Sequence, residues 1–437
     1  MDKTPQTSTK RVVLHTLGCR LNFSETGSIA QGFVDRGYEV VELGEKADVI
    51  VLNTCTVTDG ADQSCRNLIR KARSSSPEAK IVVAGCYAQM EAHKIEAMGS
   101  VDLVLGTSEK YRIFDHLAEA EEGEDEDTVV RIEKSNEFWG AATTLADSHT
   151  RAFLKIQDGC NYVCSFCIIP FARGRSRTWP IQDIMTEAQR LVAQGFKEIV
   201  LTGVNVGEYE ASSGEKLTDL CRRLGELDGL ERLRLSSVEP NTITRELLEV
   251  LRASGKYMSH FHVPLQSGSD RILKEMRRKY DMSFYRETMA MIQEYFPDAA
   301  VGADVIAGFP GETEEDFLAT FHYLRSSPVT HFHVFPYSKR QNTTAAKLPH
   351  QVAAAERKRR VRDLILLGEA KLDHFARELV GRPVPVLFES QKDGVWEGHA
   401  PHFVRVRVRS SADLANQIRP VMLMNWGGKA LEGVLLS

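Results

Sequence analysis

The stretch "KIQDGCNYVCSFCIIP", residues 155–170, decides how the rest of the sequence is interpreted. It places Cys160, Cys164 and Cys167 in the spacing Cys-x3-Cys-x2-Cys, which we call the three-cysteine loop. Structural zinc sites use four ligands, and no cysteine or histidine follows closely after Cys167. A four-iron cluster held by three thiolates keeps one iron open for a substrate or cofactor. The spacing therefore favours an iron–sulfur site.

The three-cysteine loop follows the first of six predicted strands in the central part of the chain. These strands are "AFLKI", "EIVLTG", "RLRLSS", "HFHVPLQ", "VGADVIAGF" and "HFHVFPYS", separated by helical stretches such as 181–195 and 313–327. Strands that alternate with helices predict a partial (β/α)6 barrel, whose working face lies at the carboxyl ends of the strands. The loop is expected on that face. His262 and His333, which lie on two of the strands, are interpreted as core residues.

Three more cysteines lie just past predicted strands in the N-terminal part, which reads as a parallel α/β domain. They occur in "HTLGCRLN", "VLNTCTV" and "VVAGCYAQ" and form what we call the N-terminal cysteine trio: Cys19, Cys55 and Cys86. The carboxyl ends of parallel strands face one crevice, so these thiols are expected to meet there. Three small buried cysteines are the alternative. Cys65 and Cys221 are interpreted as packed helix residues.

The C-terminal segment reads as short strands with turns, which is typical of a small β-barrel. In "VRVRVR", Val404, Val406 and Val408 point to one face, and the arginines between and after them point to the other. The valine face is expected to pack inside the barrel. The arginine face is either an ordinary solvated surface or a phosphate-contacting strand.

Composition predicts a multidomain protein of the cytoplasm without disulfides. The 437 residues include eight cysteines, too few for a disulfide scaffold. The start of the chain lacks the apolar segment of a secretory signal, and no apolar run reaches membrane-spanning length. The net charge of −5 becomes +2 without the acidic run 119–127, so charge does not exclude RNA binding. The predicted domains are 10–117 (α/β), 118–148 (acidic linker), 149–372 (barrel) and 373–437 (small β-barrel).

Several motifs, in order along the chain, resemble those of one enzyme family. "CNYVCSFC" resembles the radical S-adenosylmethionine (SAM) signature, and "TLGCRLN", "NTCTV" and "AGCYAQ" resemble the N-terminal cluster motifs of methylthiotransferases. "LTGVNVGEY", "SSVEPNTI", "HVPLQSGSD" and "GADVIAGFPGET" resemble the barrel motifs of that family, and the last segment resembles a TRAM domain, an RNA-binding barrel. The sequence is therefore identified as a member of the radical SAM methylthiotransferases, over nearly its whole length.

The resemblance implies two [4Fe–4S] clusters and two equivalents of SAM per turnover. The three-cysteine loop would hold the radical-generating cluster, whose open iron binds SAM. The N-terminal cysteine trio would hold an auxiliary cluster that delivers sulfur. Further SAM contacts are expected at the strand ends of the barrel, although each of these residues could instead serve a turn, a cap or packing at the barrel mouth: Gly203, Asn205, Ser237, Glu239, Gln266, Ser267, Asp304, Gly308 and Gly311.

The stretch "CIIPFARGRSRT" is similar to the family branch that adds a methylthio group to C2 of N6-threonylcarbamoyladenosine at position 37 of tRNA, next to the anticodon. The implied partners are the tRNA anticodon stem-loop and a one-electron donor such as flavodoxin or ferredoxin. Residues expected to contact the tRNA are Arg173, Arg175, Arg177, Arg405, Arg407 and Arg409. Sister branches, which act on isopentenyladenosine in tRNA or on an aspartate of a ribosomal protein, remain alternatives. So does a non-catalytic, metal-containing RNA-binding protein.

Overall fold

The computed structural model describes residues 9–122, 129–133, 135, 137–143 and 150–436, so most of the acidic run lies outside the described residues. The chain divides into two compact units. The first combines the described part of residues 1–148 with Phe153–Tyr162 and Cys167–Trp179, and the second contains the remainder, including Val163–Phe166. Two segments of the predicted barrel domain, Phe153–Tyr162 and Cys167–Trp179, thus belong to the first unit, and the predicted domain bounds stay a prediction.

The first unit is built on a six-stranded parallel sheet in the order β2-β1-β3-β4-β5-β6. Its strands are β1 (Arg11–Thr16), β2 (Glu39–Val41), β3 (Val49–Thr54), β4 (Lys80–Gly85), β5 (Leu103–Leu105) and β6 (Val129–Arg131). Its helices are α1 (Arg20–Val34), α2 (Asp59–Ser75), α3 (Cys86–Glu96), α4 (Ile113–Glu122) and α5 (Ile169–Arg173). The parallel sheet confirms the predicted fold class, and the short edge strands β2 and β6 are additions to it.

Local sequence explains why the central strands and the helix between them form. Every residue of β3 is buried, as expected for a strand covered by helices on both faces of a parallel sheet. Helix α2 begins after Thr58, whose hydroxyl accepts a hydrogen bond from the backbone N–H of Ala61. The strand order reverses between β1 and β3, which opens a crevice at their carboxyl ends.

Short strands accompany the segments that flank the three-cysteine loop. These strands are β7 (Ala141–Ala142), β8 (Arg151–Lys155), β9 (Gln157–Asp158) and β10 (Arg177–Thr178). β7 pairs with β8, and β9 pairs with β10, both in antiparallel fashion. The β9–β10 pair closes the base of the segment that contains the loop.

The second unit contains the remaining predicted barrel strands, alternating with helices. The strands are β11 (Glu198–Thr202), β12 (Arg232–Leu235), β13 (His260–His262), β14 (Ala300–Ala307) and β15 (His331–Pro336). The helices are α6 (Ile181–Ala193), α7 (Leu217–Gly225), α8 (Arg245–Ala253), α9 (Asp270–Glu275), α10 (Met282–Tyr295), α11 (Glu314–Ser326) and α12 (Ala354–Glu378). β11 is parallel to β12, and β13, β14 and β15 are mutually parallel, as predicted.

The chain ends in a closed five-stranded barrel with the order β16-β17-β18-β20-β19. Its strands are β16 (Pro383–Lys392), β17 (Val395–His399), β18 (Arg405–Arg409), β19 (Ile418–Trp426) and β20 (Leu431–Leu435). The valines of "VRVRVR" are buried and its arginines are exposed, so the predicted alternation is confirmed. β19, which contains Pro420, has no counterpart among the predicted strands.

Helix α12 is 25 residues long and passes beyond the boundary predicted at residue 373. Much of the charge in its basic stretch, 355–363, is balanced by acidic partners. Arg359 contacts Glu356 and Asp363, and the buried Arg360 lies 2.7 Å from Glu312. No helix among the described residues is both long and apolar enough to cross a bilayer.

Candidate iron–sulfur and nucleic-acid sites

The N-terminal cysteine trio lies at the carboxyl ends of three neighbouring strands. Cys19 separates β1 from α1, Cys55 directly follows β3, and Cys86 is the first residue of α3, directly after β4. Because β1, β3 and β4 are adjacent in the sheet, their ends converge on the same crevice. The placement that the sequence predicted from strand ends is the placement found in the fold.

The three thiols lie within electrostatic reach of one another. Burial raises the pKa of the Cys55 thiol to about 12, and the neighbouring thiols of Cys86 and Cys19 contribute to that rise. Burial also raises the pKa of Cys86, where Arg173 and Lys110 act in the opposite direction. Iron bound at this site would take up the three cysteines as thiolates, with release of their protons.

Two glycines permit the close approach of the strand ends. Gly18 has φ of +107°, and a Cβ added to it would lie 2.6 Å from the Cβ of Cys55. Gly85 has φ of +98°, and a Cβ there would lie 2.7 Å from the carbonyl oxygen of Thr54. Each glycine directly precedes a cysteine of the trio, so both cysteines sit on backbone that a larger residue would strain. Three convergent thiols on such tight backbone fit a four-iron cluster with one open iron.

In the three-cysteine loop, hydrogen-bond donors are directed at sulfur. The backbone N–H of Tyr162 donates to Cys160 Sγ at 3.3 Å. In the second unit, Arg278 Nη1 donates to Cys164 Sγ at 3.1 Å. Burial raises the pKa of the Cys164 thiol, and the Arg278 guanidinium opposes that rise. Donors to sulfur stabilise the thiolate form, so these residues fit the ligands of an iron–sulfur cluster.

Arg278 is a site residue that sequence reasoning missed. Its guanidinium is buried and also forms an ion pair with Glu239, one of the residues predicted to contact SAM. The available signal was the basic stretch "MRRKY", residues 276–280, which contains three cations in succession. Burial distinguishes Arg278 from its neighbours, and burial cannot be seen in the sequence.

A second polar group in the barrel joins residues from three strands. Asp304 Oδ1 lies 3.2 Å from Nε2 of His262 and 3.3 Å from Nδ1 of His333. His262 uses its other ring nitrogen to contact Ser237 Oγ at 2.8 Å. Burial would raise the pKa of Asp304, but the two histidines outweigh it and hold that pKa below its usual value. His333 is largely exposed, so the interpretation of this residue as a core residue was wrong.

The remaining residues predicted to contact SAM occupy turns and strand ends of the second unit. Gln266 adopts φ of +63°, and its N–H donates to the carbonyl oxygen of Asp304. Ser267 Oγ accepts from the N–H of Ser269. The N–H of Gly308 donates to Glu312, and the N–H of Gly311 donates to a backbone carbonyl. Gly203 and the buried Asn205 follow β11. These contacts position the turns, and a role in SAM binding stays a prediction.

A buried ionic network lies within the first unit, and we call it the Glu25 network. Its members are Glu25, Lys110, Lys155, Asp158 and Arg173, whose side chains are at most 2% exposed. Arg173 makes two parallel contacts to Glu25, at 2.9 and 3.0 Å. Burial alone would raise the pKa of Glu25, but Arg173, Lys110 and Lys155 hold it well below its usual value.

The Glu25 network bears on the arginines of "FARGRSR", which the sequence analysis assigns to tRNA contacts. Arg173 was expected to contact tRNA, but its guanidinium is buried against carboxylates and an amide, so in this structure it is not presented to RNA. Arg177 is half-buried and lies 3.1 Å from Asp158. Arg175 is exposed and keeps the expected role as a prediction. Nothing in the local sequence distinguishes the three arginines, because their different burial is set by the tertiary structure.

The arginines of β18 form an exposed row in the C-terminal barrel. Arg405 and Arg407 are 60% and 44% exposed, and both lie near Glu397, at 3.6 and 2.9 Å. Arg409 is also exposed. A strand that presents three guanidinium groups on one face suits contacts to phosphates, although one carboxylate offsets part of its charge.

Comparison with known proteins matches two segments of the chain to family models. Residues 11–106 match the family described as "Uncharacterized protein family UPF0004", and residues 154–324 match the radical SAM superfamily. The chain is 38% identical to the threonylcarbamoyladenosine tRNA methylthiotransferase MtaB of Bacillus subtilis, covering 97% of this chain and 95% of that protein. It is 35% identical to a tRNA-2-methylthio-N(6)-dimethylallyladenosine synthase of Cereibacter sphaeroides, covering 98% and 99%.

Among solved structures, the fold is similar to that of a radical SAM methyltransferase. The methyltransferase TsrM of Kitasatospora setae, solved with cobalamin and a [4Fe–4S] cluster, aligns with a TM-score of 0.55 at 15% identity. The alignment covers 94% of this chain and 83% of TsrM. At this identity the likeness concerns the fold.

Proposed function

The chain belongs to the radical SAM methylthiotransferases, and from that premise we propose that it adds a methylthio group to C2 of N6-threonylcarbamoyladenosine at position 37 of tRNA. The observation that carries the proposal is the assembly of the N-terminal cysteine trio at the ends of β1, β3 and β4, in a chain that also has the three-cysteine loop. The choice of nucleoside is supported by relatives of 36–39% identity that are named for it.

The two sets of cysteines would hold two [4Fe–4S] clusters. Three thiolates leave one iron of each cluster open, and SAM would bind the open iron at the three-cysteine loop. When bound, these groups supply a 5′-deoxyadenosyl radical, a methyl group and sulfur. The C2–H bond of adenine is not acidic, so a cofactor has to provide this chemistry while the protein positions the reactants and excludes water.

The described residues have distinct tasks in this proposal. Arg278 and the N–H of Tyr162 donate to sulfur and stabilise the thiolates of the loop. Glu239 fixes the guanidinium of Arg278. Ser237, which follows β12, and Asp304, within β14, remain the proposed contacts to SAM, and the two histidines hold the carboxylate of Asp304 in place.

The proposed partner is the anticodon stem-loop of tRNA. Its unpaired bases can be turned outward without breaking a duplex, which allows a barrel enzyme to reach C2 of the purine. Arg175 and the arginine row of β18 are the proposed phosphate contacts. The electron donor would be flavodoxin or ferredoxin, and the cytoplasm, where tRNA is modified, is the proposed location.

Mass spectrometry of nucleosides from tRNA tests the proposed substrate. Cells that lack the protein should lose 2-methylthio-N6-threonylcarbamoyladenosine and accumulate the unmodified nucleoside, and a plasmid copy should restore it. Loss of the methylthio group from isopentenyladenosine instead would favour the sister branch of tRNA enzymes. If both modified nucleosides persist in cells without a redundant enzyme, the tRNA assignment is wrong.

Iron and sulfide analysis separates the enzyme from a non-catalytic RNA-binding protein. Protein reconstituted without oxygen should contain about eight irons per chain, and the variant Cys55→Ala should contain about four. Zinc in place of iron would contradict the proposal. The variant Cys221→Ala is the matched control, since Cys221 is also buried but lies on α7 in the second unit.

Substitution in the arginine row tests the RNA partner. Changing Arg405, Arg407 and Arg409 to Ala should weaken tRNA binding and reduce its salt dependence, by about 0.7–0.9 in log–log slope for each phosphate that the variant no longer neutralises. Changing Glu397 to Gln should strengthen tRNA binding and increase its salt dependence, because it removes the carboxylate that lies near two of these arginines. Affinities measured over a salt series check both, and unchanged slopes would count against a phosphate-contacting strand.

A further inference from the structure

The Glu25 network buries more positive than negative charge. Three cations, Lys110, Lys155 and Arg173, face two carboxylates, Glu25 and Asp158. Arg177, which is less buried, also contacts Asp158 and increases the imbalance. A buried charge without a counterpart costs several kcal/mol, so within these five residues the network is electrostatically incomplete.

The excess positive charge is directed at the N-terminal cysteine trio. Arg173 Nη2 donates to Asn22 Oδ1 at 2.7 Å, and the same oxygen lies 3.9 Å from Cys19 Sγ. The amide nitrogen of Asn22 donates to the carbonyl oxygens of Leu17 and Thr54, which immediately precede the Gly18–Cys19 turn and Cys55. One amide side chain therefore links Arg173 to two of the three strand ends that present the cysteines.

The third cysteine of the trio lies beside the network because two helices pack together. Arg173 is the last residue of α5, and α5 packs against α3, the helix that begins at Cys86. Arg173 and Lys110 are both buried, so solvent screens their charges only weakly. Neutral thiols cannot compensate this charge, whereas an iron–sulfur core bound by three thiolates carries net negative charge and can.

We propose that the Glu25 network is the counter-charge of the cluster at the N-terminal cysteine trio: it stabilises the cluster in its anionic form and raises its reduction potential. The inference rests on the proposed function, because it takes the trio to be the ligands of a cluster. Reduction adds an electron to the cluster, and a neighbouring buried cation stabilises the added charge. Lys110 and Arg173 act here as positioning and electrostatic residues, without touching the substrate.

Lys110 is the most informative position for a test. Its ammonium group lies 2.5 Å from Glu25 Oε2, and methionine preserves the approximate length of its side chain without the charge. The background carries Ala at all three cysteines of the three-cysteine loop, so that one cluster remains. In this background Lys110→Met should make the midpoint potential, followed by electron paramagnetic resonance, more negative, and Lys110→Arg should restore it. Arg177→Met should shift the midpoint potential in the same direction by a smaller amount. Because Arg177 is less buried, this variant can test the inference even if Lys110→Met does not fold.

Thermal unfolding distinguishes a counter-charge from an ordinary structural ion pair. A counter-charge predicts that Lys110→Met reduces the gain in Tm on cluster loading, while the Tm of the iron-free protein stays equal or rises. An ordinary ion pair predicts equal losses in both forms. Lys94→Met is the matched control, since Lys94 is 64% exposed and pairs with Glu91 on α3, the helix that begins at Cys86.

The outcomes separate the inference from the proposed function. About four irons in the background protein, together with the shifted potential and the reduced gain in Tm, support both. A loaded cluster whose potential is unchanged by Lys110→Met and Arg177→Met overturns the inference and leaves the proposed function standing. A background protein that binds no iron overturns both.

Discussion

Two buried arginine sites, one in each unit, resolve the same charge imbalance differently. In the second unit Arg232 and Arg234 face a single carboxylate, Glu198, and all three side chains are at most 2% exposed. Their remaining N–H groups donate to four backbone carbonyls of the C-terminal barrel, those of Pro385, His399, Ala400 and Pro401. In the Glu25 network the excess charge faces neutral thiols instead.

Of these two sites, the one in the second unit has its buried charges satisfied by the folded protein alone. Carbonyl dipoles satisfy the arginines of the second unit within the protein itself, so that site joins β12 to the C-terminal barrel and requires no ligand. Among the residues that the structure describes, the three cations of the Glu25 network have no equivalent contacts to backbone carbonyls; such contacts are made by Arg177, which donates to the carbonyl oxygens of Glu137, Arg173 and Arg175. The Glu25 network reaches charge balance when an anionic group occupies the cysteine trio.

The largest loss of stability is expected from a substitution in the buried site of Arg232, Arg234 and Glu198. Arg234→Met leaves Glu198 buried with one weaker partner and should lower the free energy of unfolding of the second unit by about 3–5 kcal/mol. The loss should be the same with and without iron, in contrast to Lys110→Met. Urea unfolding of both forms measures it, with Arg222→Met, at an exposed position on α7, as a control expected to change stability by less than about 0.5 kcal/mol. A loss of unfolding free energy that differs between the iron-loaded and the iron-free protein would contradict the conclusion that this arginine site requires no ligand.

A smaller effect is expected at the backbone of the cysteine trio. Gly18→Ala combines strain at positive φ with a clash against Cys55 and should cost about 2–4 kcal/mol, with slower cluster loading. Gly37→Ala is the matched control, because Gly37 also has positive φ but its Cβ would meet open space. That change should cost about 1–2 kcal/mol. Equal unfolding midpoints in urea for the two variants would show that the clash with Cys55 adds no cost to the substitution at Gly18.

The smallest effect concerns how pH changes the stability contributed by His399, a residue of β17 in the C-terminal barrel. Burial lowers the pKa of His399, which contacts Glu389 at 3.1 Å, so the folded chain binds a proton there less readily than the unfolded chain. Stability is therefore present above the ordinary value near 6.5 and is lost as pH falls below it, by up to about 1.4 kcal/mol per pH unit. Urea midpoints between about pH 7.5 and about pH 5.5 should fall more for the parent than for His399→Gln. His374→Gln, at an exposed position, should behave like the parent.

The sequence was sufficient for features that depend on local pattern. The strand ends that hold Cys19, Cys55 and Cys86 followed from alternating strands and helices, and the two faces of "VRVRVR" followed from the two-residue period of a strand. Short edge strands such as β2 have little pattern of their own and were missed. So was β19, where Pro420 pairs opposite Pro385 in the barrel.

What the sequence could not provide is the pairing of charges. Glu25 and Arg173 are 148 residues apart, and nothing in "FARGRSR" distinguishes the arginine that is buried from the one that is exposed. The same limit explains Arg278, whose partners Cys164 and Glu239 come from distant segments. Such contacts are set by the tertiary fold, because the cost of burying a charge depends on neighbours that the local sequence does not specify.

The discontinuous first unit has a consequence for how the protein is made. Glu25 leaves the ribosome early, but its partner Arg173 follows 148 residues later. At about 5–20 residues per second, the carboxylate waits roughly 7–30 s for the guanidinium that it meets in the finished protein. During that interval Glu25 and Asn22 lack their contacts to Arg173, so the Glu25 network is completed only after α5 has been synthesised.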